Sequence, residues 1–189
     1  MKPETRKQEI IQTAARLFKE RGYSAVTMRD LAAAMGIKAA SLYNHISSKQ
    51  QLLKEIIIAI AEEFTAGMNS IRSSDVSSLE KLREIIALHV AITSKNTDGM
   101  ASLNNDWMHL EEQLDYYLEL RETYEMNFRE IIVEGIRCGD LKDQQPDIIL
   151  FSILTTLRSL YLWIPKKEDL QPQQLANSLS ELLIEGINA

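Results

Sequence analysis

Residues 27–54, TMRDLAAAMGIKAASLYNHISSKQQLLK, constrain the fold of this chain more than any other stretch. Thr27 reads as a helix N-cap, with Asp30 in the capping-box position three residues on. Leu31, Ala32 and Met35 form an apolar stripe at helical spacing. Gly36 supplies the reversal that follows, because a residue without Cβ accepts positive φ. A short helix is expected from Lys38 to about His45, and Ser48 with Gln51 caps a third helix. Two helices about a tight glycine turn make a helix-turn-helix, whose second helix can enter a DNA major groove. Ala39, Ala40 and Ser41 are small at the start of that helix and permit close approach to a duplex. Leu42 is its one large apolar residue and must face the local core, which leaves Lys38, Tyr43, Asn44 and His45 outward.

Helix pairs with a glycine turn also occur in proteins that never meet DNA, so charge has to decide. The 189-residue chain carries a net charge of −6, unfavourable for a nucleic-acid binder on average. The average conceals a division. Residues 1–56 hold ten Lys/Arg against five Asp/Glu, a net of +5, and the remainder holds eleven against twenty-two, a net of −11. Phosphate neutralisation drives most DNA affinity, so the basic third is where a duplex would dock. The acidic remainder would repel it and orient the approach.

Other classes are disfavoured. No uninterrupted apolar run reaches the ~18 residues of a membrane span. The longest candidate, Ile148 to Ile164, is broken by Ser152, Thr155, Thr156, Arg158 and Ser159. No signal peptide is expected, and a single cysteine, Cys138, suits a reducing cytoplasm. His45, His89 and His109 fall on different helices at no metal-ligand spacing, and Cys138 has no adjacent base. Neither an enzyme, a metal site nor a bound cofactor is expected.

The rest of the chain reads as helix. Pro3 to about Arg21 is amphipathic, with Ile10, Ile11, Ala14, Leu17 and Phe18 on one face and Gly22 ending it. The helix after Ser48 continues through Phe64 and Met68 as a connector. Residues 73–78 and 93–99 read as loops. A short helix is expected around Met100–Met108, a long one from Leu110 to Cys138, then helices 146–164 and 172–188, each opened by a proline. Ile148, Ile149, Leu150, Phe151, Ile153, Leu154, Leu157, Leu160 and Leu162 cover more than one face of their helix. Such a helix is enclosed, and in a domain this small its second face would meet another copy of the chain.

The stretch from residue 10 to 54 resembles the tetracycline-repressor (TetR) family of bacterial transcription regulators. It carries an amphipathic first helix ending in ERGY, then TMRDLAAAMGI, then LYNHISSKQQLL. The resemblance implies an all-α protein of about nine helices. A three-helix DNA-binding domain over residues 1–47 would precede a ligand-binding and dimerisation domain over 48–189, with 48–70 as the connector. It also implies a homodimer through helices 146–164 and 172–188, bound to a palindromic DNA operator and released by a small-molecule effector. Residues Thr27, Arg29, Lys38, Ala39, Ala40, Ser41, Tyr43, Asn44, His45 and Lys49 would then contact DNA. Thr27, Tyr43 and Lys49 would hold phosphates, and Lys38, Ala39, Ser41 and Asn44 would face bases, where Asn reads adenine. Lys38-Ala39-Ala40 stands where the family commonly has Ser-Lys-Gly, and His45-Ile46 where it has Tyr-Phe, so the operator sequence would differ. The competing reading is a DNA-binding architectural or division-linked protein with no inducer.

The effector pocket would draw on Met100, Leu103, Asn104, Trp107, Met108, Tyr117, Tyr124, Phe128, Leu154, Arg158 and Tyr161. Most of these also suit an ordinary core. Arg158 differs, because a charge among apolar neighbours must be paired, with a carboxylate such as Asp106 or with an anionic ligand. The run LRSLYLWIPKKEDLQPQQLA further resembles family members that respond to fatty acyl-CoA, so an acyl-CoA, fatty acid or aromatic effector is expected.

Overall fold

The computed structural model describes residues 5–167 and 169–185. Ten α-helical segments follow in order: α1 (Arg6–Arg21), α2 (Met28–Ala34), α3 (Ala39–Tyr43), α4 (Lys49–Ser73), α5 (Ser78–Lys95), α6 (Thr97–Asn105), α7 (Leu114–Cys138), α8 (Pro146–Arg158), α9 (Leu160–Trp163) and α10 (Pro172–Glu185). No β-strand forms among the described residues. Segments α8 and α9 are one helical run interrupted at Ser159, which makes nine rods among the described residues.

Local chemistry sets the boundaries. Thr5 caps α1 in a capping box with Gln8, so the helix starts beyond Pro3, which lies outside the described residues. Gly22 stops it at φ 81°, its N–H bonded to the Phe18 carbonyl. Thr27 and Asp30 form the expected box. Gly36 turns the chain at φ 65°. At the start of α4 the Ser48 hydroxyl accepts from the Gln51 N–H, but the Gln51 carbonyl oxygen reaches back to the backbone and hydroxyl of Ser47. The box therefore spans one residue more than expected.

Two helix boundaries differ from expectation. The loop expected at 93–99 is a break at Asn96 alone, whose N–H caps α5 while α6 starts at once. The chain from Trp107 to Gln113 is two short 3-10 turns, with Glu111 at φ 45°, so α7 starts four residues late. Within the single chain α8 has one buried face and one open face, and the expected contact of the second face with another copy is not tested by it. Ile149, Ile153, Leu154 and Leu157 are buried, whereas Ile148 and Phe151 are exposed, Phe151 by 70%. In α10, Leu182 is 76% exposed and Ala176, Ser180 and Ile184 are buried with Leu175; Ile187 lies outside the described residues.

Residues Pro146–Lys166 are long and apolar enough, by length and composition, to cross a membrane, contrary to the expectation from the sequence. The break at Ser159 and the burial of one face mark this segment as part of a folded body.

By packing, the chain forms two units. The first is the chain up to Ala61 together with Asp98–Tyr117; the second is Glu62–Thr97 with the chain from Leu118 onward. Packing places α4 in the first unit as far as Ala61. In the first unit Ile10, Phe18, Leu31, Leu42, Ile46, Leu52 and Leu53 are almost fully buried. Each such side chain contributes about 1.5–3 kcal/mol. In the second, Met68, Leu82, Ile85, Phe128 and Ile132 are. Gly135 is tightly packed there: a Cβ would lie 2.9 Å from the Ser78 Cβ and 2.8 Å from the Leu141 side chain.

Candidate nucleic-acid interface and a buried polar cluster

In the first unit α2 and α3 carry the exposed residues expected to meet DNA. Leu42 and Ile46 anchor α3 from below, at 0% and 1% exposure. Their burial turns Lys38, Ala40, Ser41, Tyr43, Asn44 and His45 to solvent, with Ala39 half-buried. Tyr43 is 52% exposed although it is the largest side chain on α3. Thr27 and Arg29 are exposed at the start of α2. The Asp30 carboxyl is held below its ordinary range by the Thr27 hydroxyl and backbone N–H.

Lys49 is placed differently from the others. It is half-buried, its Nζ donating to the Tyr23 carbonyl at 3.0 Å and lying 4.1 Å from the Tyr23 ring centre. That partner is neutral, so the ammonium charge is not cancelled by it. The Tyr23 ring also stacks on His109 at 5.2 Å and meets Phe18 edge-on. The Tyr23 N–H donates to Asp106 at 3.4 Å. Burial raises the Asp106 carboxyl, and the Tyr23 hydrogen bond opposes that rise. Gln50 donates to the His109 carbonyl at 2.8 Å, and Lys19 pairs with Asp98 at 2.8 Å.

The residues expected to line an effector pocket divide between the two units. In the first, Met100 and Tyr117 are buried, Trp107 stacks on Tyr117 at 5.9 Å, and the Tyr117 hydroxyl donates to the Leu103 carbonyl at 3.4 Å. Asn104 is half-buried and donates to the Met100 carbonyl. Met108 is exposed and lines no interior. In the second, Tyr124, Phe128, Leu154 and Tyr161 are buried. Arg158 donates to Glu125 at 2.5 Å, so its partner is Glu125 and not Asp106. Glu125 also accepts from Arg121 at 3.1 Å. Burial pushes the Glu125 carboxyl up, and the two guanidinium groups more than offset it.

Two residues absent from that expected set are the most unusual polar groups in the second unit. His89 is 4% exposed and Thr93 is 0% exposed, one turn apart on α5. The His89 Nε2 and the Tyr124 hydroxyl are hydrogen-bonded at 2.9 Å, and the Phe64 ring lies over the imidazole at 4.5 Å. The His89 Nδ1 and the Thr93 Oγ1 have no hydrogen-bond partner among the described residues. Leaving such a group buried and unpaired costs about 1–3 kcal/mol. Burial, with a smaller effect of the Arg158 charge, pushes the His89 pKa down to about 3, so the ring is neutral at physiological pH. Their signal in the sequence was a polar pair at i, i+4 inside the apolar stripe Leu82, Ile85, Ile86 and Val90.

No catalytic set forms among the described residues. The Cys138 thiol donates to Glu134 at 3.2 Å, and this bond raises its pKa, opposite to what a nucleophile needs.

Comparison with known proteins defines the class. Residues 10–56 match the model of bacterial regulatory proteins of the tetR family, and residues 75–187 match the tetracyclin repressor-like C-terminal domain. The chain belongs to the TetR family: it is a helix-turn-helix transcriptional regulator, not an enzyme. Among curated relatives, it is 24% identical to the HTH-type transcriptional repressor KstR2 of Mycolicibacterium smegmatis over 188 residues, covering 98% of this chain and 92% of that one. It is 28% identical to the nucleoid occlusion factor SlmA of Vibrio campbellii, covering 70% and 69%. Among solved structures, the ketosteroid transcriptional regulator KstR2 of Mycobacterium tuberculosis superposes with a TM-score of 0.91 at 23% identity, covering 98% and 96%. AibR in complex with isovaleryl coenzyme A and operator DNA superposes at 0.74 with 24% identity, covering 94% and 97%.

Proposed function

We propose that this regulator is a cytoplasmic homodimeric repressor that binds a palindromic operator and is released by a small-molecule effector. The observation that carries the reading is α3, a short helix anchored by Leu42 and Ile46 that turns Lys38, Ser41, Tyr43 and Asn44 outward from a basic domain. On this reading Tyr43 and Thr27 hold phosphates. Lys38, Ala39, Ala40, Ser41 and Asn44 face bases, and Arg29 and His45 flank them. Lys49 reaches a phosphate with the N–H groups that Tyr23 leaves unused.

The dimer reading rests on the exposed apolar row Ile148, Phe151 and Leu162 and on Leu182, which belong to the helices assigned to the interface. Two heads would then meet half-sites about 34–36 Å apart. The effector reading rests on the buried aromatic groups of the body and on AibR, which binds an acyl-CoA as well as operator DNA. Of the acyl-CoA, fatty acid and aromatic effectors expected, each would set an apolar part against these groups. The Arg158 guanidinium keeps Glu125 as its partner on this reading. SlmA supports the division-linked alternative, but the match to KstR2 runs over nearly the whole chain and that to SlmA over 70%.

The test is fluorescence anisotropy of the purified protein against DNA flanking its own gene, titrated in salt. Tight, salt-dependent binding of two protomers per site is expected, with Tyr43→Ala weakening all binding and Asn44→Ala relaxing sequence preference. Binding no tighter than to random DNA overturns the operator reading.

A further inference from the structure

We propose that the His89 Nδ1 and the Thr93 Oγ1 are the polar end of the effector site. They hold an uncharged oxygen, a carbonyl or hydroxyl on an otherwise apolar molecule, in preference to a carboxylate. This rests on the effector reading above and specifies the chemistry of that site.

Threonine and serine inside a helix usually satisfy their hydroxyl by bonding back one turn. Thr13 does so to the Glu9 carbonyl at 2.8 Å, Thr156 to Ser152 at 3.0 Å, and Ser152 to Ile148 at 2.8 Å. All three of those positions have access to solvent. Thr93 has none, yet its hydroxyl is left without a bond, as is that of Ser102 in the first unit. The residue one turn before it is His89, whose Nδ1 is equally buried and equally unpaired. Residues four apart project from the same face of a helix, so both side chains lie on one face of α5, one turn apart.

The imidazole is held in position to serve this role. Tyr124 occupies the Nε2 and Phe64 covers the ring, so the Nδ1 is the nitrogen left for a ligand. A neutral imidazole offers one donor or one acceptor there, according to the direction of the Tyr124 bond, and a threonine hydroxyl offers both. A carbonyl oxygen can accept from both, and a hydroxyl can accept from one and donate to the other. A carboxylate would need its full charge compensated in a place without water. The cation that bears on His89, Arg158, is already bonded to Glu125. Burial that keeps the imidazole neutral removes the other cation an anion would seek.

The experiment compares octan-2-one, octan-1-ol and octanoate, three probes with one chain length and different head groups. Binding to the intact protein is followed by calorimetry, and the His89 ring nitrogens by NMR. The uncharged probes should bind about ten-fold more tightly than octanoate and shift the Nδ1 resonance. Thr93→Val should narrow that preference to about two-fold. The same variant, free of probe, should unfold at a higher temperature, because a methyl group replaces an unpaired hydroxyl without changing shape. Octanoate binding as tightly as the others overturns the proposal, as does binding of none. A lower unfolding temperature in Thr93→Val also overturns it, since the hydroxyl would then have a partner, an internal water. The operator anisotropy of the wild-type protein in the same buffer separates the two readings. DNA binding without probe discrimination sinks this inference alone, and its loss sinks the regulator reading instead.

Discussion

The Lys49 ammonium lies 4.1 Å from the centre of the Tyr23 ring and donates to the Tyr23 carbonyl at 3.0 Å. This contact ties the first residue of α4 to the junction between α1 and α2. His109, stacked on the same Tyr23 ring, and Gln50, bonded to the His109 carbonyl, extend the tie to the segment after α6. The N-terminal unit is therefore more than three helices, since it includes the piece of chain from Asp98 to Tyr117.

Lys49→Met removes the ammonium and keeps most of the stem. The unfolding free energy should fall by about 1 kcal/mol, the combined loss of one hydrogen bond and one cation–π contact. The slope of log affinity against log salt for DNA should fall by about one, because the Tyr23 carbonyl does not neutralise the charge. Urea unfolding and salt-titrated anisotropy measure the two effects separately. An unchanged salt slope would falsify the phosphate role and leave Lys49 purely structural.

Gly36→Ala should destabilise the head by roughly 1–2 kcal/mol, the usual cost of placing an L side chain in the left-handed region. A Cβ at Gly36 meets nothing within 4 Å, so the cost is conformational and not steric. Gly36→Asn should therefore cost less, since Asn visits this region more readily. Thermal unfolding of the two variants side by side is the check, and equal losses would contradict the argument.

His89 makes stability depend on pH. Its folded pKa, about 3, lies below the ordinary value of 6.5, so the native ring stays neutral while the unfolded ring takes up a proton. The unfolded state thus binds more protons between these values, and stability falls as pH drops through that window. Between pH 7.5 and pH 5.0 the loss from this residue should be about 2 kcal/mol. Denaturant unfolding at the two pH values measures it. His89→Phe should remove most of the difference, and a variant with the wild-type dependence would show that other groups cause it.

The exposed apolar row of the body predicts its assembly. Phe151→Glu and Leu182→Glu place charges on side chains that are 70% and 76% exposed in the single chain, so the fold should survive. In a dimer joined there, each charge is buried at the interface and association should fail. Light scattering should read a dimer for the wild type and a monomer for the double variant, with helical circular dichroism unchanged. A double variant that stays dimeric places the interface elsewhere.

What was legible in the sequence was mostly local. Thr27, Asp30, Gly22 and Gly36 announce their roles because caps and positive-φ turns are decided within a few residues. Leu42 was legible because α3 has only one large apolar side chain in its short span. The loop expected at 93–99 was misread because Ser, Asn, Asp and Gly suit both loops and caps. A one-residue helix break at Asn96 looks the same in sequence as an open loop. The membrane-length apolar run was underestimated because its polar residues, Ser152, Thr156 and Ser159, return their hydroxyls to the backbone and interrupt little.

The sequence by itself determined the all-helical class, the helix-turn-helix and its outward residues, the division of charge and the family. Each of these follows from periodicity, capping or composition. The tertiary structure decided which charges meet and which polar groups are shut in: Glu125 as the partner of Arg158, Tyr23 as the partner of Lys49, and the unpaired atoms of His89 and Thr93. It also decided which apolar face of α8 is left open. These facts depend on residues brought together from far apart in the chain, and the local signals of capping and periodicity cannot reach across that distance.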